Sequence, residues 1–310
     1  LYLVWPGEGQ VRPGGDRGRY PDSVPFPPLG PGALVGAVTA ALAVSLAAMT
    51  ARPYTTSVVA WTGAMLLAFG TSTLTVAADD LWQHGPAMMW TLLGVCLASR
   101  GKYAGSGAAF AVGILVRPPT AVIAACVGLT IAIRERRLRP AAMIGAMSLV
   151  AVGLLTAYNL TVFGSVGGAY AEHFSSTLAS TDTGAYLVNI LGGLFHPRMG
   201  LLSWSPFIVV AAIGLVRVRS SIPPALLGAT IGSVAYLLLT WKTEHFSGGG
   251  GFIGYRYPLT AGAVAAPAAM IGWRWIRQRQ WASLILLITA LSSLVLFTGS
   301  EVITAIWFDR

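Results

Sequence analysis

The sequence is poor in charge. Only 10% of its 310 residues are Asp, Glu, Lys or Arg, whereas 55% are hydrophobic and the mean hydropathy is +0.68. An average soluble domain carries about 25% charged residues, so this composition excludes an ordinary soluble fold. It predicts a polytopic membrane protein.

Cysteine is also scarce. Cys96 and Cys126 are the only two, and each lies inside an apolar run. Their spacing matches neither a metal site nor a disulfide framework, so we interpret them as small buried residues. The net charge of +9 comes from basic residues scattered over short loops. Such scattering builds no continuous groove, so we expect no nucleic-acid partner, and the excess is typical of the positive-inside bias of membrane proteins.

Long apolar runs make up most of the chain. Ten of them can be read from the sequence, at residues 29–50, 55–77, 86–99, 104–116, 119–133, 141–163, 201–217, 223–241, 258–275 and 281–300. The predicted fold is therefore all-α, a transmembrane helical bundle of about ten spans in the lipid bilayer. The runs 104–116 and 119–133 are shorter than the roughly 20 residues that a span needs. Because Arg117-Pro118-Pro119 separates them, we predict a hairpin whose tip does not fully clear the bilayer.

Alternating crossings sort the charges onto two sides. One side carries twelve of the twenty basic residues and a single acid, Glu135. The other side carries the remaining ten acids and all four histidines. By the positive-inside rule the first side is cytoplasmic. We therefore expect a multi-pass protein of the bacterial plasma membrane with an extracytoplasmic active face.

The external segments define the predicted domain organisation. Residues 1–28 form an external loop remnant, because we expect a first transmembrane helix to precede residue 1. Residues 29–300 form the transmembrane domain, with external loops at 78–85, 164–200 and 242–257, and residues 301–310 form an external tail. Apolar residues at helical spacing around Leu187 and Leu191 predict a short helix in the loop 164–200. Its amphipathic pattern fits a helix in the membrane interface and equally a plain connecting helix.

The densest polar cluster lies in the loop 78–85. Asp79, Asp80, Trp82 and His84 follow one another at the outer end of a span. Adjacent carboxylates repel, so one of them could hold a proton for general acid or base chemistry. Alternatively, the pair could share a divalent cation with phosphate oxygens, or one Asp could simply cap a helix.

Basic and aromatic residues mark the other candidate binding sites. Arg117 lies between two apolar runs, where a charge is costly, and it suits a lipid-linked phosphate better than plain snorkelling. The candidates around the Gly-rich external loop are Lys242, Glu244, His245, Arg256 and Tyr257, and Arg198 makes a weaker case. Cations there could hold phosphate, and Trp241, Tyr255 and Tyr257 could stack on sugar rings. Ordinary interface chemistry would enrich the same residue types.

Several motifs carry a family resemblance. They are GRY (18–20) with FPPLGPG (26–32), LWQHGP (81–86), GILVRP (113–118), PRMGLLSWSP (197–206) and GYRY (254–257). In this order the chain resembles bacterial polytopic glycosyltransferases of the GT-C type, similar to the protein-O-mannosyltransferase and aminoarabinose-transferase group (family 39-like). Together the motifs span nearly the whole sequence.

The resemblance implies an inverting transfer of a sugar from a polyprenyl-phosphate donor to an acceptor hydroxyl on a cell-envelope glycan, lipid or protein. An external Asp would act as general base, with Asp79 or Asp80 as the expected acid and Asp16 as a further candidate in the first external loop. Basic residues would hold the lipid phosphate. The resemblance implies no particular cofactor, and the use of a divalent cation stays open. The alternative is a polytopic lipid or sugar transporter or flippase, which predicts paired broken helices in two halves.

Overall fold

The computed structural model describes residues 29–78, 83–168, 182–247 and 254–308, and these ranges contain helices and no strand. The prediction of an all-α fold is confirmed. The helices are α1 Leu29–Ala51, α2 Ser57–Phe69, α3 His84–Ser99, α4 Tyr103–Val116, α5 Ala121–Glu135, α6 Arg139–Phe163, α7 Thr183–Phe195, α8 Leu201–Trp204, α9 Phe207–Arg217, α10 Pro224–Thr243, α11 Pro258–Ile276 and α12 Gln280–Phe308. Short 3₁₀ turns occupy Arg52–Tyr54, Pro118–Thr120 and Arg219–Ser221, and Thr73–Ala78 is a π-helical turn.

Five segments in the described ranges are long and apolar enough to cross a membrane. They are Pro31–Tyr54, Pro118–Glu135, Arg139–Phe163, Pro224–Thr243 and Gln280–Gly299. Shorter apolar helices, among them α2, α4 and α9, lie beside them. The protein therefore has the character of a membrane protein, while the count of ten spans stays a prediction.

Two predicted spans are interrupted. The run 55–77 forms α2 only as far as Phe69, and the π-helical turn follows after Gly70. The run 201–217 divides into α8 and α9 at Ser205-Pro206, because Pro206 cannot donate a helical N–H and disfavours helical backbone in the residue before it. At the C-terminus, α12 continues to Phe308, so the predicted external tail from residue 301 is helical over most of its length.

Glycines bring the central helices into close contact. A Cβ atom on Gly228 would lie 2.7 Å from the carbonyl oxygen of Cys126, and one on Gly232 would lie 2.7 Å from the Cα atom of Ile123. Both glycines lie on α10 and face the backbone of α5. Small residues at such contacts allow dispersion forces to act between backbones where lipid gives no hydrophobic drive. The α5–α10 pair thereby fixes the hairpin tip relative to the end of α10.

One set of loops is joined at what we call the arginine-rich end, where the helix termini carry Arg52, Arg100, Arg134, Arg217 and Arg274. The Tyr54 hydroxyl donates to the Ser99 carbonyl over 3.2 Å, and Arg274 donates to the Tyr54 carbonyl over 2.5 Å. The Tyr103 hydroxyl donates to the Glu135 carboxylate over 3.2 Å. These contacts unite the loops that charge sorting had placed on one side.

The opposite loops meet at what we call the histidine end, which contains His84, Arg117, Ser205, Glu244 and Tyr255–Tyr257. Each of these residues follows or precedes a helix whose other terminus lies at the arginine-rich end. Within the described ranges, loops that charge sorting placed on opposite sides thus lie at opposite ends of the helical packing, and His84, Arg117, Glu244, Arg256 and Tyr257 lie at this second end.

Candidate functional site

The centre of the candidate site is an imidazole contacted by two guanidinium groups. His84 is the first residue of α3 and is completely buried. The Arg117 Nη1 atom lies 2.7 Å from its Nδ1 and 2.9 Å from its Nε2, and Arg256 donates from Nε to Nε2 over 3.1 Å. Guanidinium N–H groups can only donate, so Nε2, which both arginines contact, is the acceptor and carries no proton. The single proton of a neutral imidazole is then on Nδ1, so the 2.7 Å contact of Arg117 with Nδ1 is not a hydrogen bond. A neutral histidine therefore brings two cations together.

The hairpin between α4 and α5 holds Arg117 in place. The residue has extended backbone, with φ −148° and ψ 97°, because Pro118 follows it. Its N–H donates to the Gly113 carbonyl over 2.8 Å, and its own carbonyl accepts from the N–H and hydroxyl of Thr120 at 3.0 and 2.8 Å. A tight turn at Arg117 thus joins α4 and α5, and the Arg117 side chain is only 6% exposed. The second arm, Pro118–Glu135, is longer than predicted and is long enough to cross a membrane, because the 3₁₀ turn at Pro118–Thr120 extends it.

Two tyrosines flank the Arg117 guanidinium. Its Cζ atom lies 5.7 Å from the ring centroid of Tyr236 and 5.6 Å from that of Tyr257. Both distances are within the range of cation–π attraction. Tyr236 is fully buried, and its hydroxyl has no hydrogen-bond partner among the residues that the structure describes. The positive charge of Arg117 is therefore stabilised by aromatic faces and an imidazole, and no carboxylate contacts it in the described ranges.

Tyr257 connects this cluster to an acid. Its hydroxyl donates to Oε2 of Glu244 over 3.4 Å. Burial, followed by the negative charge of Glu244, raises the pKa of Tyr257 to about 12. The phenol therefore stays protonated at neutral pH and acts as a hydrogen-bond donor rather than as a base.

The segment that carries Arg256 and Tyr257 is held by hydrogen bonds of the preceding residue, Tyr255. The Tyr255 N–H donates to the Ser72 hydroxyl over 2.9 Å, and the Tyr255 hydroxyl lies 2.9 Å from the hydroxyl of Ser205. Ser205 in turn donates to the Gly70 carbonyl over 2.7 Å. Both interruptions of the predicted spans thus supply partners to this network. The broken helices position the residue that immediately precedes Arg256.

Helix α7 packs against the end of α10 and holds the backbone around Glu244. The Asn189 Nδ2 atom donates to the carbonyls of Trp241 at 3.0 Å and Glu244 at 3.3 Å, and its Oδ1 accepts from the Phe246 N–H at 3.2 Å. Gly193 allows the close approach, because a Cβ there would lie 2.5 Å from the Trp241 indole. The predicted short helix is therefore present.

The outer face of α7 remains apolar. Leu187, Leu191 and Phe195 are 52%, 57% and 57% exposed. This pattern favours a helix that lies in a membrane interface over a plain connecting helix on an aqueous surface.

Three other predicted site residues have contacts outside the cluster around His84. The Lys242 Nζ atom lies 5.6 Å from the ring centroid of Tyr186, His245 Nδ1 lies 2.9 Å from the Ser247 hydroxyl, and the Arg198 N–H donates to His196. Asp16, Asp79, Asp80 and Trp82 lie outside the described residues. Within the described ranges no group of three or more His, Cys, Asp or Glu side chains is arranged to hold a metal.

The expected stacking of sugar on Trp241 and Tyr255 is wrong for both rings. Trp241 is 3% exposed beneath Gly193, and Tyr255 is 2% exposed, edge-on to Phe297 at 6.2 Å. Each ring is already covered by protein. Of the three aromatic residues, only Tyr257 contacts the charged cluster.

An apolar groove of about 410 Å³ lies between α2, α9, α11 and α12. Its outer end is bordered by Thr71, Tyr255 and Pro258, and its other end by Trp273 and Ile276. The stretch of α11 from Pro258 to Ile276 is about 27 Å long at 1.5 Å per residue, close to the thickness of a hydrocarbon core. The groove therefore follows most of the length of α11 and ends at Tyr255, one residue away from Arg256.

Some participants in the site gave no clear signal in the sequence. Tyr236 lies within an apolar helix, and Ser72 and Ser205 looked like ordinary polar residues in apolar runs. Asn189 did carry a signal, because it is a polar residue on the otherwise apolar side of an amphipathic helix. Comparisons of the chain with family models, with curated proteins and with solved structures give no match.

Proposed function

We propose that this protein is a membrane glycosyltransferase that moves a sugar from a polyprenyl-phosphate donor to an acceptor hydroxyl on the extracytoplasmic face, with inversion. The observation that supports this proposal best is the pair of guanidinium groups, Arg117 and Arg256, held together on the neutral imidazole of His84. The resemblance of the motifs around these residues to GT-C enzymes points to the same activity.

Two adjacent arginines suit a phosphate group. A guanidinium binds phosphate oxygens through paired, charge-assisted hydrogen bonds, and these are stronger in a site that excludes water. Arg117 is buried and contacts only neutral groups in the described part of the chain. A buried charge without a counter-ion is costly, so an anionic ligand would compensate for it.

The apolar groove suits the lipid portion of such a donor. It lies between helices and is lined almost wholly by apolar residues. A polyprenyl chain in the groove would leave its phosphate at the end bordered by Tyr255, next to Arg256. This arrangement fits a phosphate that carries both a sugar and a long hydrocarbon chain better than a free nucleotide sugar.

The proposed general base is Asp79 or Asp80, with Asp16 as the further candidate. Asp80 precedes His84 by four residues, so their Cα atoms are at most about 14 Å apart. In the proposed reaction this carboxylate takes the proton of the acceptor hydroxyl, and the oxygen attacks the anomeric carbon. The bond between that carbon and the donor phosphate breaks, and the phosphate leaves with the electron pair. The arginines stabilise the departing charge, which is the role that a divalent cation would otherwise have.

The test uses membranes that contain the full-length protein and a panel of radiolabelled polyprenyl-phosphate sugars. We expect transfer to a membrane acceptor, and a loss of about 10²–10³-fold in Arg117→Ala, as for removal of one group that stabilises a charged transition state. Asp79→Asn and Asp80→Asn identify the base. Arg137→Ala, at the arginine-rich end, is the matched control and should retain activity.

Two results would count against this function. Undiminished transfer in Arg117→Ala would separate the cluster from the reaction. Absence of transfer from every donor, together with flipping of labelled lipid across the membrane, would favour the transporter or flippase alternative.

A further inference from the structure

A second cluster of cations lies at the arginine-rich end, around one indole ring. The guanidinium Cζ of Arg279 lies 4.3 Å from the centroid of the Trp275 ring, and that of Arg217 lies 5.9 Å from the same ring. Trp281 contacts Trp275 edge-on at 6.0 Å. Both arginines are thus held in defined positions by an aromatic surface instead of extending freely into water.

A surface cavity of about 600 Å³ adjoins this cluster. One wall consists of Ala212, Ile213 and Val216, on the last turns of α9, and the rim consists of Arg217, Arg219 and Ser220. The cavity is therefore apolar toward the membrane interior and cationic toward the membrane surface. An amphiphile with an anionic head and a hydrocarbon tail matches this division.

The charge of this region is not neutralised by the protein. Arg217, Arg219, Arg274, Arg277 and Arg279 all lie at this end, and no carboxylate forms an ion pair with any of them in the described ranges. Glu135, the described acid at this end, accepts from Tyr103, and Glu244, which follows α10, lies at the histidine end. An excess of positive charge on loops is ordinary in membrane proteins. A preformed cavity with arginines fixed on its rim is a more specific feature.

We propose that this cavity binds an anionic phospholipid. The phosphate would accept hydrogen bonds from Arg217 and Arg219 and from the Ser220 hydroxyl, and one acyl chain would lie along Ala212, Ile213 and Val216. Basic pockets between transmembrane helices are suited to such head groups. The proposal concerns the end opposite to the proposed transferase site and does not depend on the activity of that site.

The test is a lipid titration of the purified full-length protein in detergent, followed by native mass spectrometry. We expect phosphatidylglycerol to bind more tightly than phosphatidylcholine. Each arginine near a membrane surface contributes roughly fivefold to the affinity for anionic lipid. The Arg217→Gln/Arg219→Gln variant should therefore bind phosphatidylglycerol about 25-fold more weakly than the wild type. Arg134→Gln/Arg137→Gln removes the same charge from the same end outside the cavity and should change the affinity little.

Three results would overturn the proposal. Equal weakening in the control variant would reduce the effect to general surface charge. Equal binding of both lipids would exclude recognition of the head group, and inorganic phosphate that binds as tightly as the lipid would assign the cavity to a free anion. If the double variant does not fold, Trp275→Phe tests the same site, because a weaker cation–π partner should lower the affinity a few-fold while the helices stay packed.

Discussion

The two ends of the molecule use arginine in opposite ways. At the histidine end Arg117 is 6% exposed and lies among an imidazole and two tyrosine rings. At the arginine-rich end Arg217 and Arg219 are exposed at the rim of a cavity, and Arg279 lies on the half-buried indole of Trp275. The same residue type thus sits inside the protein at one end and on its surface at the other.

The difference separates function from topology. Exposed cations at helix termini keep their hydration and serve membrane orientation, which costs little. A buried cation loses hydration, and replacing it by an apolar side chain of similar size often leaves stability unchanged or raises it. Arg117 is therefore expected to be retained for a purpose other than stability. Four predictions test this contrast, beginning with the one of largest expected effect.

The first prediction concerns Arg117→Met compared with Arg137→Met. Methionine keeps the length and most of the volume of the side chain, so the tyrosine rings remain packed and Arg256 still donates to His84. We expect transfer activity to fall by about 10²–10³-fold in Arg117→Met, with a thermal midpoint equal to or above that of the wild type. Arg137→Met, at an exposed residue of the arginine-rich end, should leave both quantities unchanged. A large drop in the midpoint of Arg117→Met would instead make Arg117 a structural residue.

The second prediction disturbs the packing of α7 at the histidine end by adding one methyl group. A Cβ at Gly193 would lie 2.5 Å from the indole of Trp241, which is buried and has no room to move. Gly193→Ala should therefore lower the free energy of unfolding by about 1–3 kcal/mol or release α7.

The matched control for this substitution is Gly145→Ala in α6. A Cβ at Gly145 meets no atom within 4 Å, so this change should be neutral or stabilising by up to about 1 kcal/mol. Thermal unfolding of both variants gives the comparison, and equal midpoints would show that α7 does not depend on this contact.

How much of this architecture the sequence predicts depends on the physical signal. The apolar runs and the alternation of charge predict the helical class and the two ends, because both effects act over whole segments. Arg117 was also predictable, since a charge between a short apolar run and two prolines is rare. Arg256, Tyr257 and Glu244 were predicted as a group, because they flank one loop.

The tertiary partners were not predictable in the same way. Tyr236 lies in a helix where a tyrosine is unremarkable, and only the fold brings it over Arg117. Ser72, Ser205 and Tyr255 are distant in sequence, and their hydrogen bonds arise where two apolar runs break. The break at Gly70 carries only the weak signal of a glycine, and although Pro206 marks the break at Ser205, neither residue shows which partners the broken helices meet. The prediction that sugar rings stack on Trp241 and Tyr255 was wrong for the same reason. The sequence pattern placed both residues near a membrane surface, but it did not show that other residues cover their rings.

The third prediction concerns the hydrogen bond between Ser205 and Tyr255, the residue that precedes Arg256. Ser205→Ala and Tyr255→Phe each remove one hydroxyl from the pair that lies 2.9 Å apart. A double-mutant cycle on thermal or denaturant stability should give a coupling energy of about 0.5–1.5 kcal/mol, as for a buried neutral hydrogen bond. Thr161→Ala, an exposed hydroxyl on α6 that bonds only its own helix, is the control and should show no coupling to Tyr255→Phe. Additive effects of the two test substitutions would mean that the serine and tyrosine act independently.

The fourth and smallest effect is a dependence on pH at the histidine end. The pKa of Tyr257 is raised to about 12 by burial and by Glu244, against about 10 for an unfolded tyrosine. The folded state therefore holds this proton more tightly, so the resulting stability is fully present below pH 10 and is lost as the pH rises toward 12. The difference in thermal midpoint between the wild type and Tyr257→Phe should be constant from pH 7 to about 9.5 and should shrink above it. A difference that already changes near pH 7 would mean that Tyr257 ionises in the physiological range, and the phenol would then become a candidate base beside Asp79 and Asp80.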